Sequence, residues 1–193
     1  MDIGEYFSLA LEFLKAPAKA FNSIRKKSMG EAFRYMLVMG VIVAVLGGIV
    51  GFVANSIFAS LMPAAAETMT PLLVVTSILV GYIFMIILNV LFGLWLHLWV
   101  HILGPGKGLE ETLKVVFYAD TPYYLLGWIP IVGFITLIWS LVLNIIGLMK
   151  LHGMNGIKAV SAVVIAVAIP TVIMGLVFVV FVIPLMMSQA GLV

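Results

Sequence analysis

The segment from residue 71 to residue 101 contains no Asp, Glu, Lys or Arg, and this feature limits the fold more than any other. A helix needs about 20 apolar residues to cross the hydrocarbon core of a bilayer, and this segment is longer than that. Charged residues make up 9% of the whole chain and hydrophobic residues 64%, whereas about a quarter of a soluble domain is charged. The composition therefore excludes a soluble protein and predicts an all-α, polytopic membrane helix bundle.

Five transmembrane helices account for the hydrophobic segments of the chain. The region 109–150 is too long for one span and is divided into two. The glycine-rich stretch at residues 104–108 breaks the preceding helix, and Glu110 beside Glu111 suits the positive end of a new one. The expected spans are 35–59, 71–101, 109–127, 130–150 and 157–187, and together they form a transmembrane bundle over residues 31–193.

The basic residues give this topology an orientation. All ten of them precede the first span, lie around the junction of the second and third, or lie around the junction of the fourth and fifth. Loops rich in Lys and Arg stay on the cytoplasmic side of a membrane. We therefore expect a multi-pass protein of the cell membrane with its N-terminus in the cytoplasm and its C-terminus outside.

Residues 2–30 form a separate N-terminal segment, which is expected to be an amphipathic, interfacial helix. Its polar residues recur every three or four positions, which predicts a polar stripe along a helix. Pro17 is expected to divide the segment into two short helices, because proline lacks an N–H and clashes with the preceding turn. The apolar face has two alternatives, the membrane interface or the protein's own cytoplasmic loops, and the sequence leaves both open.

Arg25, Lys26 and Lys27 form the densest basic cluster of the chain. It directly precedes the first span, so we expect it to set the topology and to contact anionic lipid. No other basic patch is present, and no nucleic-acid partner is expected.

Three histidines and one aspartate form a candidate metal site. His97 and His101 are one helical turn apart on the second span, so both face the same way and can share a metal ion. Asp120 or His152 would supply a third ligand. A divalent metal is the one cofactor that the sequence suggests, and it would support a membrane enzyme. The alternative is that the histidines are interfacial residues bonded to carbonyls, lipid headgroups or Asp120.

A second set of candidates consists of polar residues inside the expected spans, where such residues are costly and therefore informative. Asp120 is the one acidic residue well within a span, and Asn89 and Asn144 lie deep in the second and fourth spans. They would supply the pathway of a small ion channel or transporter. The alternative is structural: Asp120 would hold the third span in place, and the asparagines would form hydrogen bonds between helices.

Between residues 109 and 161 the chain carries short motifs in a fixed order, built around a Tyr-Ala pair, an Ile-Pro pair, single glycines and a His-Gly pair. The residues concerned are Tyr118, Ala119, Pro122, Pro130, Gly133, Gly147, His152 and Gly153. In this order they resemble the Yip-domain family, membrane proteins named for their interaction with Ypt/Rab GTPases. Pro17, Phe21 and Ile24 resemble its compact prokaryotic members. The resemblance implies five spans in the same orientation and, from eukaryotic members, roles in vesicle trafficking and membrane shaping.

The leading hypothesis is therefore a non-enzymatic integral membrane protein that organises membrane or scaffolds partner proteins. Its partners would be the lipid bilayer and either another membrane protein or a second copy of this chain. Gly47 and Gly51 are spaced for close helix approach within or between chains. The channel or transporter and the metal-dependent enzyme remain the two alternatives.

Overall fold

The computed structural model describes residues 2–62, 70–104 and 106–189, and every regular element in these residues is a helix. Most of the expected loop at residues 60–70, Pro105 of the glycine-rich stretch and the C-terminal residues 190–193 lie outside the described residues. The expected all-α membrane bundle is confirmed.

Two short helices begin the chain, α1 (Ile3–Lys15) and α2 (Pro17–Ser23). Asp2 and Glu5 form a capping box that satisfies backbone N–H groups at the start of α1. Pro17 is the first residue of α2, where its missing N–H costs nothing. The predicted division at Pro17 is therefore present.

Three elements are much longer than the others. Helix α3 (Met29–Leu61) begins at the Ser28 capping box, and α4 (Pro71–Leu103) runs back beside it, with Gly40 against Met85 and Gly48 against Ile78. The third, α8 (Gly156–Val177), packs on α4 and continues through a π-helical turn, Phe178–Val182, into α9 (Ile183–Gln189).

A hairpin of shorter helices lies between α4 and α8. Its first arm is α5 (Leu109–Ala119) followed by α6 (Thr121–Leu126), and its second arm is α7 (Val132–Gly147) with a π-helical turn, Leu148–His152. The expected third span, 109–127, was predicted as one helix and is instead broken at Asp120. The reason is local: Pro122 lies in the first turn of α6, and the Thr121 hydroxyl donates a hydrogen bond to the Tyr118 carbonyl.

Four helical segments in the described part of the chain are long and apolar enough to cross a membrane: Met29–Leu61, Pro71–Leu103, Val132–His152 and Gly156–Gln189. The broken α5–α6 arm is not among them. The tip of the hairpin brings Trp128 beside Gly47, in the middle of α3, so α3 continues roughly 20 Å past the tip. The hairpin begins and ends on the same side of the bundle, so it connects the C-terminal end of α4 to the N-terminal end of α8 on that side.

The buried core is confined to one half of the molecule. Helix α5 lies at its centre, in contact with α3, α4 and α7, while α1 and α2 pack against α6, α7 and the turn after α7. We define the far half as residues 44–62, 70–88 and 167–189, the parts of α3, α4, α8 and α9 in which none of the described residues is buried. The rest of the described chain is the near half.

Candidate functional site

Basic side chains form hydrogen bonds between elements at the end of the near half that lies away from the far half. Arg25 Nη2 donates to the Lys150 carbonyl at 2.7 Å, and Lys107 Nζ donates to the Leu151 carbonyl at 3.2 Å. Lys114 is 2% exposed and bonds both Glu111, at 3.0 Å, and the Arg25 carbonyl. We call this end, which carries Arg25, Lys107, Lys114 and Lys150, the basic end.

Within the predicted basic cluster, Arg25 forms a hydrogen bond across the bundle, whereas Lys26 is exposed to solvent. Lys27 is partly buried at the start of α3. The contact with anionic lipid that the sequence predicts for this cluster stays a prediction.

Two of the three histidines are joined through a threonine near the basic end. His97 Nδ1 lies 2.8 Å from Thr112 Oγ1, and the same oxygen lies 3.1 Å from His152 Nε2. A threonine hydroxyl can donate one hydrogen bond and accept two, so the tautomers of the two histidines decide which atoms donate. This chain links α4, α5 and the turn after α7. It holds the central helix against both neighbours.

The four residues predicted to bind a metal are not gathered at one point. His101 is exposed and lies beside Gly106, and Asp120 lies between the two short helices of the hairpin's first arm, away from the histidines. Among the residues that the structure describes, no three His, Asp or Glu side chains are arranged to hold a metal ion. The nitrogens of His97 and His152 that face each other are both engaged by Thr112.

Deeper in the bundle, polar side chains pair across helices. The Tyr124 hydroxyl donates to Asn89 Oδ1 at 3.1 Å and joins α6 to α4. Tyr35 and Thr121 share a hydrogen bond of 2.7 Å. Since Thr121 gives its only proton to the Tyr118 carbonyl, the Tyr35 hydroxyl must be the donor. The inter-helix bond expected of Asn89 is therefore present.

Asp120 lies at the break between α5 and α6 and is partly exposed through a cavity of about 290 Å³. Asn89 and Ser140 are the polar side chains next to its carboxyl. The cavity rim consists of Phe84, Leu88 and Leu137, whose side chains point out of the bundle. Asp120 is therefore in contact with a space that opens sideways, toward the membrane.

Helix α7 turns a polar stripe toward α5 and α6. Thr136, Ser140 and Asn144 recur every four residues and are all buried. Asn144 Nδ2 donates a hydrogen bond to the Ser140 carbonyl of its own helix at 2.9 Å. The amide of Asn144 therefore does not form the inter-helix bond that the sequence predicts. In the described part of the chain, Asn144 Oδ1 has no hydrogen-bond partner, while Ser140 lies next to the Asp120 carboxyl.

The family-motif residues occupy positions of close packing. Tyr118 and Ala119 are fully buried. A Cβ on Gly133 would lie 2.5 Å from the Gly127 carbonyl oxygen, and one on Gly147 would lie 2.7 Å from Val115 Cγ1. Gly153 has φ +71°, which suits glycine at the end of a helix. The remaining motif residues are the buried Pro122 and His152 and the exposed Pro130.

Sequence reasoning missed two parts of this arrangement. Thr112 was not singled out, because a hydroxyl near a helix start gives no periodic signal, yet it joins the two histidines. The aromatic cluster at the basic end was also missed: the Phe13 ring stacks on Tyr118 at 5.3 Å, and Tyr118 lies 4.7 Å from Tyr35. Aromatic residues from three separate helices cannot be matched to one another from their spacing in the sequence.

A bundle of long apolar helices with a buried polar interior defines the class of this protein, a multi-pass α-helical membrane protein. A family model described as "Yip1 domain" matches residues 11–181, which is most of the chain, and the chain belongs to that family. No curated protein matches the sequence. No solved structure matches it either.

Proposed function

We propose that this Yip1-domain protein is a non-enzymatic organiser of the membrane, and that α1 acts on the cytoplasmic leaflet while fixed to the bundle. The observation that carries the proposal is the division of α1 into three faces. One face packs on the protein, one is apolar and uncovered by the described residues, and one is polar.

Helical geometry defines these faces, because residues three or four apart share a side of a helix. Tyr6, Leu9, Ala10 and Phe13 are buried against the bundle. Ile3, Phe7 and Leu11 lie next to them and are 69%, 44% and 49% exposed. Polar side chains, Glu5, Ser8, Glu12 and Lys15, occupy the remaining side. We call Ile3, Phe7 and Leu11 the outer stripe.

A helix of this kind, with one polar and one apolar free side, favours the plane of a membrane interface. The basic end supports the same placement, since Lys and Arg near a membrane are held on the cytoplasmic side and attract anionic lipid. In this proposal, the apolar residues of α1 contact both the protein and the membrane interface, the two alternatives that the sequence leaves open. The buried face fastens α1 to the protein, and the outer stripe lies among the acyl chains of the leaflet.

Rigid attachment is what makes α1 useful to an organiser of membranes. The stacked contact of Phe13 with Tyr118 and its edge contact with Phe21, at 4.9 Å, tie α1 to α5 and α2. An interfacial helix held in this way displaces lipid on one leaflet only, at a fixed position relative to the spans. We propose that the protein changes the shape of the bilayer by displacing lipid in one leaflet only, and that it does so without catalysing a reaction.

The placement of α1 can be measured directly, because the chain contains no cysteine. A single cysteine at Phe7 or at Ser8, labelled with an environment-sensitive dye, reports the two sides of α1 in proteoliposomes. We expect the Phe7 dye to be blue-shifted and quenched by nitroxide-labelled lipid, and the Ser8 dye to report water. If both dyes report water, α1 does not contact the leaflet.

The function itself is tested by vesicle shape. Full-length protein reconstituted in vesicles with anionic lipid is compared with a variant in which Ile3, Phe7 and Leu11 are all serine, at equal density and with size measured by cryo-electron microscopy. We expect wild type to narrow the vesicles and the variant to leave them unchanged. Equal effects of the two proteins would contradict the proposal.

Ion transport is the second candidate function, and the observation that favours it is the Asp120 carboxyl beside Asn89 and Ser140. A channel or transporter would move ions across proteoliposomes, and Asp120→Asn would abolish that flux. Absence of flux for protons and common monovalent cations would remove this candidate. A bound divalent metal at the histidines also stays a prediction, and elemental analysis of wild type beside His97→Ala tests it.

A further inference from the structure

The Asp120 cavity adjoins a second one, and the two differ in chemistry. The second cavity, of about 340 Å³, is a groove between the far halves of α3 and α4. Its floor is made of small residues, among them Gly47, Gly48 and Gly51. Gly81, Met85 and Tyr123 line both cavities. The two cavities therefore share part of their lining. The α3–α4 groove is their apolar part and the Asp120 cavity is their polar end.

The position of the polar end decides which molecules can reach it. Asn89 is roughly 20 Å or more from either end of α4, so the Asp120 cavity opens on the side of this long helix and not at its end. Its rim residues Phe84, Leu88 and Leu137 face away from the protein. A molecule that enters sideways must already be dissolved in the membrane.

Hydrogen-bonding capacity decides which end group fits. A carboxyl of Asp120 offers acceptor oxygens to the cavity. The Tyr124 hydroxyl is occupied by Asn89, and one Asn89 N–H is occupied by the Met85 carbonyl at 3.3 Å. Ser140, which is 3% exposed, and Asn89 are the polar side chains next to the Asp120 carboxyl, and Asp120 itself lines the cavity. The two oxygens of a carboxyl can accept several hydrogen bonds, so a ligand that donates one would find an acceptor on Asp120 beside its neighbours.

We infer that these two cavities form a binding site for a membrane-dissolved amphiphile, whose hydrogen-bond-donating end contacts Asp120 and whose hydrocarbon chain lies in the α3–α4 groove. The end group is a primary alcohol or an amine, since both donate to a carboxyl oxygen. Each cavity is at the lower end of the size range of ligand pockets, about 300 Å³, so one single-chain amphiphile fits better than a two-chain phospholipid. This site is independent of the outer stripe and goes beyond the membrane-organising role.

Gly81 provides the variant that blocks the site without disturbing the fold. It lines both cavities, and a Cβ there would meet none of the described atoms within 4 Å. Leucine at Gly81 would extend into the shared space. Gly175 is the matched control, because it is equally open and lines neither cavity. Asp120→Leu removes the acceptor and keeps a side chain of similar size.

The test uses full-length protein in lipid nanodiscs and three photoreactive probes with a diazirine in the chain: hexadecylamine, hexadecanol and hexadecyl methyl ether. We expect the amine or the alcohol to label α4 near Met85, and the ether, which has no donor, to label weakly. Asp120→Leu should lower labelling about ten-fold, the change expected for loss of one hydrogen bond to a carboxyl group. Gly81→Leu should lower labelling by a similar factor, because its side chain occupies the space that both cavities share. Gly175→Leu should match wild type.

The outcomes separate the alternatives. Labelling by the amine alone identifies a cationic ligand, and equal labelling by the alcohol identifies a neutral one; both support the site. If the ether labels as strongly as the other probes, or if Gly81→Leu labels like wild type, no such site exists. If Asp120→Leu does not fold, the Gly81→Leu variant alone still tests whether the site exists. Neither result bears on the vesicle-shape experiment.

Discussion

The near half and the far half of this molecule are built from the same apolar helices but use them differently. In the near half α3 and α4, together with α7, enclose α5 and bury aromatic rings, glycine contacts and polar pairs. In the far half the same helices continue with none of their described residues buried. The comparison teaches that apolar character places a helix in the membrane, while a buried core needs the small, aromatic and polar residues that are concentrated in the near half.

This difference has a physical basis in the solvent. Lipid chains are as apolar as leucine, so burial of apolar surface does not drive helices together within a bilayer. Close contact needs small residues, interlocking shapes or hydrogen bonds. The near half contains Gly93 against Leu113, Gly147 against Phe21 and the His97–Thr112–His152 chain. In the far half, Gly48 also meets Ile78 closely, whereas a Cβ on Gly51 or Gly175 would meet no described atom within 4 Å.

The largest expected effect comes from Phe13 compared with Phe7 on the same helix. Phe13→Ala empties a fully buried position, and we expect it to lower the free energy of unfolding by about 3–5 kcal/mol. Phe7→Ala removes an exposed side chain and should change stability by less than about 0.5 kcal/mol. Denaturant titration in mild detergent measures both. Similar losses in the two variants would mean that α1 is not docked as described.

A smaller effect is expected for glycine positions in the two halves. Alanine at Gly147 would place its Cβ 2.8 Å from the Phe21 ring and 2.7 Å from Val115, and neither neighbour is a flexible chain end. We expect a loss of about 1–3 kcal/mol from this overpacking. Gly175→Ala meets no described atom and should leave stability unchanged or raise it slightly.

Thermal unfolding of the two alanine variants in the same detergent gives the comparison. A Gly147→Ala protein as stable as Gly175→Ala would show that α2 and α5 do not approach α7 as closely as the structure has them. In that case the near half would be no more tightly packed than the far half.

Much of this arrangement could be predicted from the sequence, but not all of it. The expected division at Pro17 follows from local backbone rules and is present. The break at Asp120 was not predicted as a helix end, because Pro122 in a long apolar segment also fits a continuous, kinked helix. Whether a polar residue meets a partner depends on the relative rotation of two helices, which the sequence of either one does not contain.

Asn89 and Asn144 show this limit most clearly. Both were predicted to bond between helices. Asn89 meets the Tyr124 hydroxyl across the bundle, whereas the Asn144 amide bonds the Ser140 carbonyl of its own helix. The two residues have similar surroundings in sequence, with apolar neighbours on each side. Only the position of α6 beside α4 distinguishes them.

The smallest effect that separates the halves is that of a single hydrogen bond. Tyr124→Phe leaves Asn89 Oδ1 without its donor in the near half. Thr171→Val, in the far half, removes an exposed hydroxyl that bonds only the Val167 carbonyl of its own helix. Hydrogen bonds between membrane helices contribute about 0.6 kcal/mol on average and at most about 1.7 kcal/mol, so we expect a loss within this range for Tyr124→Phe and none for Thr171→Val.

Differences of this size require paired measurements, with both variants titrated beside wild type in one detergent and one buffer. An Asn89→Leu background sharpens the result, since Tyr124→Phe should lose most of its effect once the acceptor is gone. If the two substitutions are additive, Tyr124 stabilises the bundle by ring packing and not through Asn89. The hydrogen bond between Tyr124 and Asn89 would then add no measurable free energy of unfolding. In this respect the near half would not differ from the far half.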